Sequence, residues 1–196
     1  MKNKPNLIYI LADDMGYGDI SCLNDKSKIK TPNLDQMANE GMRFEDAHSS
    51  SAVCTPSRYS ILTGRYNWRS SLKKGVIGGY TPALIEEGRT TVASFLKENG
   101  YSTACIGKWH LGMDWQTKEG ISLPDNDPAV CEWGTHTNPD VDYARPIKNS
   151  PVTRGFDYYY GISAGAAGKV KDGLGNIVLT YDRGFITARS HRHPGF

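Results

Sequence analysis

An α/β domain built on a mostly parallel central sheet is the fold class this sequence predicts, and three observations carry it. Leu7-Ile8-Tyr9-Ile10-Leu11-Ala12 is a continuous β-favouring run, the signature of a strand buried on both faces of a parallel sheet. Capped helical segments alternate with such runs along the chain. Polar residues suited to chemistry stand just after the strands, at the carboxyl edge where open α/β sheets bind ligands.

Taken in order, the run at 7–12 reads as the first strand and stops at Asp13-Asp14, which places both acids at its carboxyl end. Thr31-Pro32 reads as an N-cap followed by proline at the first helical position. Leu34, Met37 and Ala38 follow at helical spacing, and Gly41 ends the helix. A second strand is expected at 42–47. Residues 57–62 open another helix whose N-terminus abuts Cys54, with Pro56 near the first turn and Gly64 as its stop. Thr90 is expected to cap a helix with Val92, Phe95 and Leu96 on its apolar face and Gly100 as terminator. The next strand is expected at 101–106. Gly107-Lys108-Trp109-His110 then falls at its carboxyl end, on the same sheet edge as Asp13-Asp14 if the strands are parallel. Residues 119–150 are rich in Pro, Asn, Asp and Gly and read as a long surface loop. Residues 169–181 read as a hairpin around Asp172-Gly173 with its second strand at 177–180, and 188–196 carries no core pattern.

The 196 residues, 38% of them hydrophobic, suffice for one domain with a substantial core. A formal charge of +2, with Lys and Arg scattered, gives no footprint for nucleic acid. No stretch approaches the roughly 20 apolar residues that span a bilayer, so no membrane helix is expected. The basic start Met-Lys-Asn-Lys-Pro-Asn is followed by too short an apolar run, without a small-residue cleavage site, for a signal peptide. Cysteines at 22, 54, 105 and 131 have no CxxC spacing, which suggests neither a zinc site nor a disulfide framework.

Several residues carry chemistry beside a plainer reading. Asp13 and Asp14 are hard oxygen ligands suited to Ca²⁺ or Mg²⁺, or a turn pair. Cys54 is either an ordinary buried thiol or a residue beside a helix N-terminus, where backbone N–H groups welcome an anion. Arg58 falls one turn later and offers a planar donor fork. Lys108 and His110 fall on one side if extended geometry persists, with Trp109 packing on the other; solvated polar residues are the alternative. His191 and His193 have no partner ligands in their tail, and Gly16-x-Gly18 lacks the third glycine of a dinucleotide fingerprint.

Together these residues resemble the sulfatase family, the formylglycine-dependent branch of the alkaline phosphatase superfamily. The resemblance covers residues 6 to about 162. It rests on Asn6-Leu-Ile-Tyr-Ile-Leu-Ala-Asp-Asp-Met-Gly-Tyr-Gly-Asp19, Thr31-Pro-Asn-Leu-Asp35, Gly41-Met-Arg-Phe44 and Ala47-His48, then Cys54 to Arg65, Gly107-Lys-Trp-His-Leu-Gly112 and Gly155-Phe-Asp-Tyr-Tyr-Tyr-Gly161. The element Cys54-Thr-Pro-Ser-Arg58 followed by Leu62-Thr-Gly-Arg65 is the most specific part.

The resemblance implies an alkaline phosphatase-like α/β/α sandwich, incomplete in this chain, with 1–164 as the N-terminal part of the catalytic domain and 165–196 as a divergent or truncated tail. It implies hydrolysis of aryl or carbohydrate sulfate esters through a formylglycine made from Cys54 by a formylglycine-generating or sulfatase-maturing enzyme that reads Pro56 and Arg58. In that picture one oxygen of the hydrated aldehyde attacks sulfur, and loss of a proton from the second expels sulfate. Asp13, Asp14 and the residue derived from Cys54 are similar to the family's Ca²⁺ ligands, with Mg²⁺ the lesser alternative. Arg58 would hold the diol, Lys108 would offset charge on sulfate, and His110 would bond the formylglycine hydroxyl or help its collapse. His48 is assigned to packing or to support of the site. A periplasmic or extracellular location is expected for the family.

The departures are equally definite. Family members have later segments that supply an Asp-Asn or Asp-His metal pair, a second lysine and a histidine for the leaving group, and this chain contains none of them. Gly165 stands where the family often has a sulfate-contacting serine. Two alternative readings follow: a truncated, non-catalytic chain, or a phosphonate or phosphate monoester hydrolase of the same superfamily.

Overall fold

Three helices and a short mixed sheet carry the architecture of this computed structural model, which describes residues 4–119 and 141–164 in full and the backbone of 167–171, 177–181 and 186–189. Residues 1–48 and 49–196 cluster as two compact units.

In the first unit, helix α1 spans Pro32–Glu40, with Thr31 as N-cap, Pro32 at the first position and Gly41 as C-cap, as the sequence predicts. The Thr31 hydroxyl does not cap the helix amides. It donates instead to Asp35 Oδ1 at 2.9 Å, while Ser21 Oγ donates to Asp35 Oδ2 at 2.6 Å and the Cys22 amide to Oδ1 at 2.9 Å. Asp35 thereby ties α1 to the 3₁₀ turn Ser21–Leu23, and these hydrogen bonds to its anionic form, that of Ser21 foremost, lower its pKa against the opposing pull of burial.

Two strands expected in this unit are not formed. Residues 7–12 and 42–47 carry no ladder, and Ile8, Ile10, Met42 and Phe44 are each more than 70% exposed. A β-favouring run becomes a strand only where a neighbouring strand takes up its N–H and C=O groups, and among the described residues none pairs with either segment.

The second unit opens with helix α2, Cys54–Thr63. It begins three residues earlier than expected, so Cys54 is its first helical residue rather than a neighbour of it. Gly64 ends it in the left-handed region at φ 64, where the missing Cβ removes the steric penalty. Helix α3 is Val92–Glu98, capped by Thr91 rather than Thr90: the Thr91 hydroxyl accepts from the Ser94 amide at 3.0 Å, and Ser94 Oγ accepts from the Thr91 amide at 2.9 Å. Its buried residue is Ala93, whereas Val92 and Phe95 are exposed, so the expected apolar face is not the one that packs.

Strand β1, Ala104–Lys108, is displaced toward the C-terminus of its expected span and takes in Lys108. It pairs in parallel with β2, Tyr158–Ile162, and Gly107 stands opposite Gly161. A Cβ on Gly161 would collide with the Gly107 carbonyl, so the close approach of these two backbones demands glycine there. Strands β3, Ala167–Lys171, and β4, Ile177–Tyr181, form the antiparallel hairpin expected in this stretch. Its turn residues lie outside the described residues, as does most of the expected loop at 119–150. Strand β5, Ile186–Arg189, pairs antiparallel with β2, so Ala188 and Arg189 belong to the sheet although the sequence shows no core pattern there.

The core joins α2 to the sheet. Tyr59, Ile77, Leu111, Met113 and Tyr159 are almost wholly buried. Trp109 packs edge-on against Phe156 and Tyr159, at centroid distances of 6.3 and 6.5 Å, and its indole donates to the Gly112 carbonyl at 2.9 Å. That is the packing role expected for it. Asp157, almost buried, bridges α3 to the strands: Lys97 Nζ lies 2.6 Å from Oδ1, and the Thr103 amide and hydroxyl donate to Oδ2 at 2.9 and 3.1 Å.

Candidate active site

Cys54, half-buried, starts α2 after an extended Val53 that provides no side-chain cap. Ser57 folds back over this start, its hydroxyl donating to the carbonyls of Ser51 at 2.9 Å and Val53 at 2.8 Å. The entry to the helix is therefore fixed by side-chain bonds within one turn of Cys54. Thr55 and Pro56, both buried, root the first turn in the core.

Arg58 lies four residues after Cys54, on the same helix face. Its Nη1 donates to the carbonyl of Lys108 at 2.5 Å. This one bond fastens the α2 opening to the end of β1, joining the two segments singled out in the sequence. The Arg58 charge also reaches the buried side of β1: burial pushes the Cys105 thiol up to about 11 while Arg58 pulls it back, and burial likewise raises the pKa of the Tyr159 phenol.

His110 does not continue the strand. Its backbone turns into the left-handed region at φ 56, so Lys108 and His110 do not share a face by strand alternation. The imidazole is 2% exposed, its Nε2 is 2.7 Å from the Ile77 carbonyl, and its amide donates to the Ser163 carbonyl at 2.8 Å. The same Ile77 donates its amide to Thr55 Oγ1 at 3.4 Å. Thus Ile77 joins the α2 turn that carries Cys54 to the imidazole of His110. No side-chain pattern at position 77 reveals this, because the backbone makes both contacts.

Asp13 and Asp14 belong to the first unit, exposed, in a turn after the segment 7–12. Their adjacent carboxylates are hard, anionic donors of the type a Ca²⁺ or Mg²⁺ ion takes, so the donor chemistry fits a hard dication. Among the described residues no three His, Cys, Asp or Glu side chains gather into a metal-holding group. His48, assigned from sequence to packing or support, is instead exposed and paired with Asp46 Oδ1 at 2.7 Å. Both partners lie open to water, so burial does nothing to hold the ring. Cys22, Cys54 and Cys105 are free thiols, and no helix among the described residues is long and apolar enough to cross a membrane.

Behind the site, Tyr59 on α2 donates to Glu86 Oε2 at 3.1 Å, and Arg65 Nη1 sits 2.9 Å from Glu86 Oε1. Burial tends to raise the Glu86 pKa, but its own amide, Tyr59, Arg89 and Arg65 together bring it below the ordinary value. Arg65, noted in the sequence only as part of Leu-Thr-Gly-Arg, is thus an anchor for the far end of α2.

The chain is similar to known sulfatases. The family model described as Sulfatase matches residues 5–173. An N-acetylgalactosamine-6-O-sulfatase of Bacteroides thetaiotaomicron is 46% identical over 110 residues, covering 56% of this chain and 21% of the relative. Human steryl-sulfatase is 34% identical over 183 residues, 91% of this chain and 27% of the relative. A solved structure from work on glycosaminoglycan metabolism by Bacteroides thetaiotaomicron superposes with a TM-score of 0.66 at 36% identity, covering 89% of this chain and 32% of that one. The chain thus spans about a quarter of the length of these curated relatives. With the match running through the Cys54 helix, β1 and β2, this chain belongs to the sulfatase family.

Proposed function

We propose that this chain carries the nucleophile of a sulfuric ester hydrolase acting on aryl or carbohydrate sulfate esters, with Cys54 converted to formylglycine by a maturing enzyme. The observation that carries the reading is the Arg58 to Lys108 carbonyl bond, which binds the Cys54 helix to the Gly107–His110 segment. The names of relatives support the substrate class: one is an N-acetylgalactosamine-6-O-sulfatase and others are arylsulfatases.

Formylglycine at position 54 would supply a hydrated aldehyde, one oxygen attacking sulfur and the other allowing sulfate to leave. Asp13 and Asp14 would offer their carboxylates to Ca²⁺, which would supply Lewis-acid polarisation. Three of this chain's own side chains take part. Arg58, restrained by the Lys108 carbonyl, brings a fixed positive fork to the helix turn of residue 54, where a charge-assisted bond to an oxygen is strong. Lys108, at the end of β1, offsets negative charge on the sulfate. His110, buried and anchored, exchanges a proton with the hydroxyl at residue 54.

The test is to produce the protein with a formylglycine-generating enzyme and to assay an aryl sulfate against the matching aryl phosphate, with Ca²⁺ and with a chelator. Hydrolysis of the sulfate, lost on chelation, is expected. Preference for phosphate assigns the chain to the phosphate and phosphonate hydrolases of the superfamily. No turnover of either ester assigns it to the non-catalytic alternative.

A further inference from the structure

We propose that Thr55, through the backbone of Ile77, sets the tautomer of His110, with the proton on Nε2 and the lone pair on Nδ1; any use of that lone pair in catalysis rests on the sulfatase reading of the site. A carbonyl oxygen only accepts, so the 2.7 Å contact with the Ile77 carbonyl requires a proton on His110 Nε2. In the neutral ring Nδ1 then carries the lone pair. The anchor is itself held: the Ile77 amide donates to Thr55 Oγ1, and Thr55 and Ile77 are 0% and 1% exposed. The amide of His110 to the Ser163 carbonyl fixes the backbone beneath the ring.

Thr55 follows residue 54 directly, so the helical turn that carries residue 54 also holds the backbone group that orients the His110 imidazole. Thr55 is a positioning residue here; it does not touch the reacting atoms. Only its hydroxyl carries this effect, because at position 77 the backbone rather than the side chain makes both bonds.

The experiment is a long-range ¹H–¹⁵N correlation spectrum of the full chain with labelled histidine and unmodified Cys54, His110 being identified by its disappearance in His110→Asn. The wild-type ring is expected to show a protonated-type Nε2 and a lone-pair-type Nδ1, and the Ile77 amide slow hydrogen exchange. Thr55→Ser retains this pattern, whereas Thr55→Val yields averaged nitrogen shifts from two tautomers. A wild-type ring protonated on Nδ1 overturns the proposal, as does a folded Thr55→Val with the wild-type spectrum or a loss of the pattern in Thr55→Ser. Should Thr55→Val fail to fold, rapid exchange of the wild-type Ile77 amide overturns the part assigned to Thr55. Because the spectrum is read on the unmodified chain, failure of sulfate hydrolysis strikes the proposed function alone and leaves the tautomer to be judged by itself.

Discussion

The guanidinium of Arg58, one turn into α2, donates to the backbone carbonyl of Lys108 at the end of β1 over 2.5 Å. A hydrogen bond from a charged donor contributes about 1.5–3 kcal/mol net. Arg58→Ala should therefore lower unfolding free energy by about 2 kcal/mol, seen as a lower urea midpoint. Arg58→Lys should recover part of that stability but little activity, because an ammonium does not reproduce a planar fork. Equal rescue of stability and activity by lysine would remove the fork from the mechanism.

Asp157 and Lys97 form a staple between α3 and the strands, with Asp157 4% exposed and Lys97 29%. Removing one partner of a buried pair costs about 3–5 kcal/mol, and the partial exposure of Lys97 argues for the lower figure, about 3 kcal/mol, for Asp157→Ala. Burial alone would raise the pKa of this carboxyl. The Lys97 contact, the Thr103 bonds and the Lys97 charge outweigh it and hold the pKa below the usual carboxylate range. With the folded value below the unfolded value of about 3.9, the stabilisation is complete above that pH and fades as pH falls through the folded value. Denaturant midpoints from pH 7 downward should fall steeply below about pH 4 in the wild type and less steeply in Asp157→Asn.

Gly161→Ala is expected to disrupt the sheet. Its Cβ would meet the Gly107 carbonyl, a backbone atom held in the parallel ladder with no flexible end to move aside. Loss of about 3 kcal/mol or more follows from forcing strain into a packed site, measured as a lowered melting temperature. An unchanged melting temperature would mean that β1 and β2 do not approach as described.

Cys105 offers a chemical test. Burial first, with Arg58 opposing it, leaves its thiol pKa at about 11. The thiolate is the nucleophile, so Cys105 should resist alkylation at pH 8 and react only as the pH approaches that value. Peptide mapping after alkylation across this range measures it. In Arg58→Ala the onset should move to still higher pH, because the group that stabilises the thiolate is gone.

Much of the frame was legible in the sequence where local chemistry decides it. Pro32 and Gly41 mark α1, Gly64 stops α2, and the alternation around Asp172-Gly173 marks the β3–β4 pair. Residues 7–12 and 42–47 misled because β-favouring composition reports suitability for a sheet, while a strand requires a partner ladder. Thr90 and Thr91 are adjacent and equally suited to cap α3, and only the reciprocal bonds with Ser94 choose Thr91. Position 110 shows the limit for the site: the histidine was evident, but its left-handed backbone and the Ile77 carbonyl that orients it depend on tertiary contacts.

The central claim is chemical conversion of residue 54, and the mass of the Cys54-containing peptide tests it most directly. From protein produced with a formylglycine-generating enzyme, that peptide should have lost its sulfur and should react with an aldehyde-specific hydrazide, in step with sulfatase activity. An intact Cys54 thiol in protein that hydrolyses sulfate esters at full rate would contradict the account.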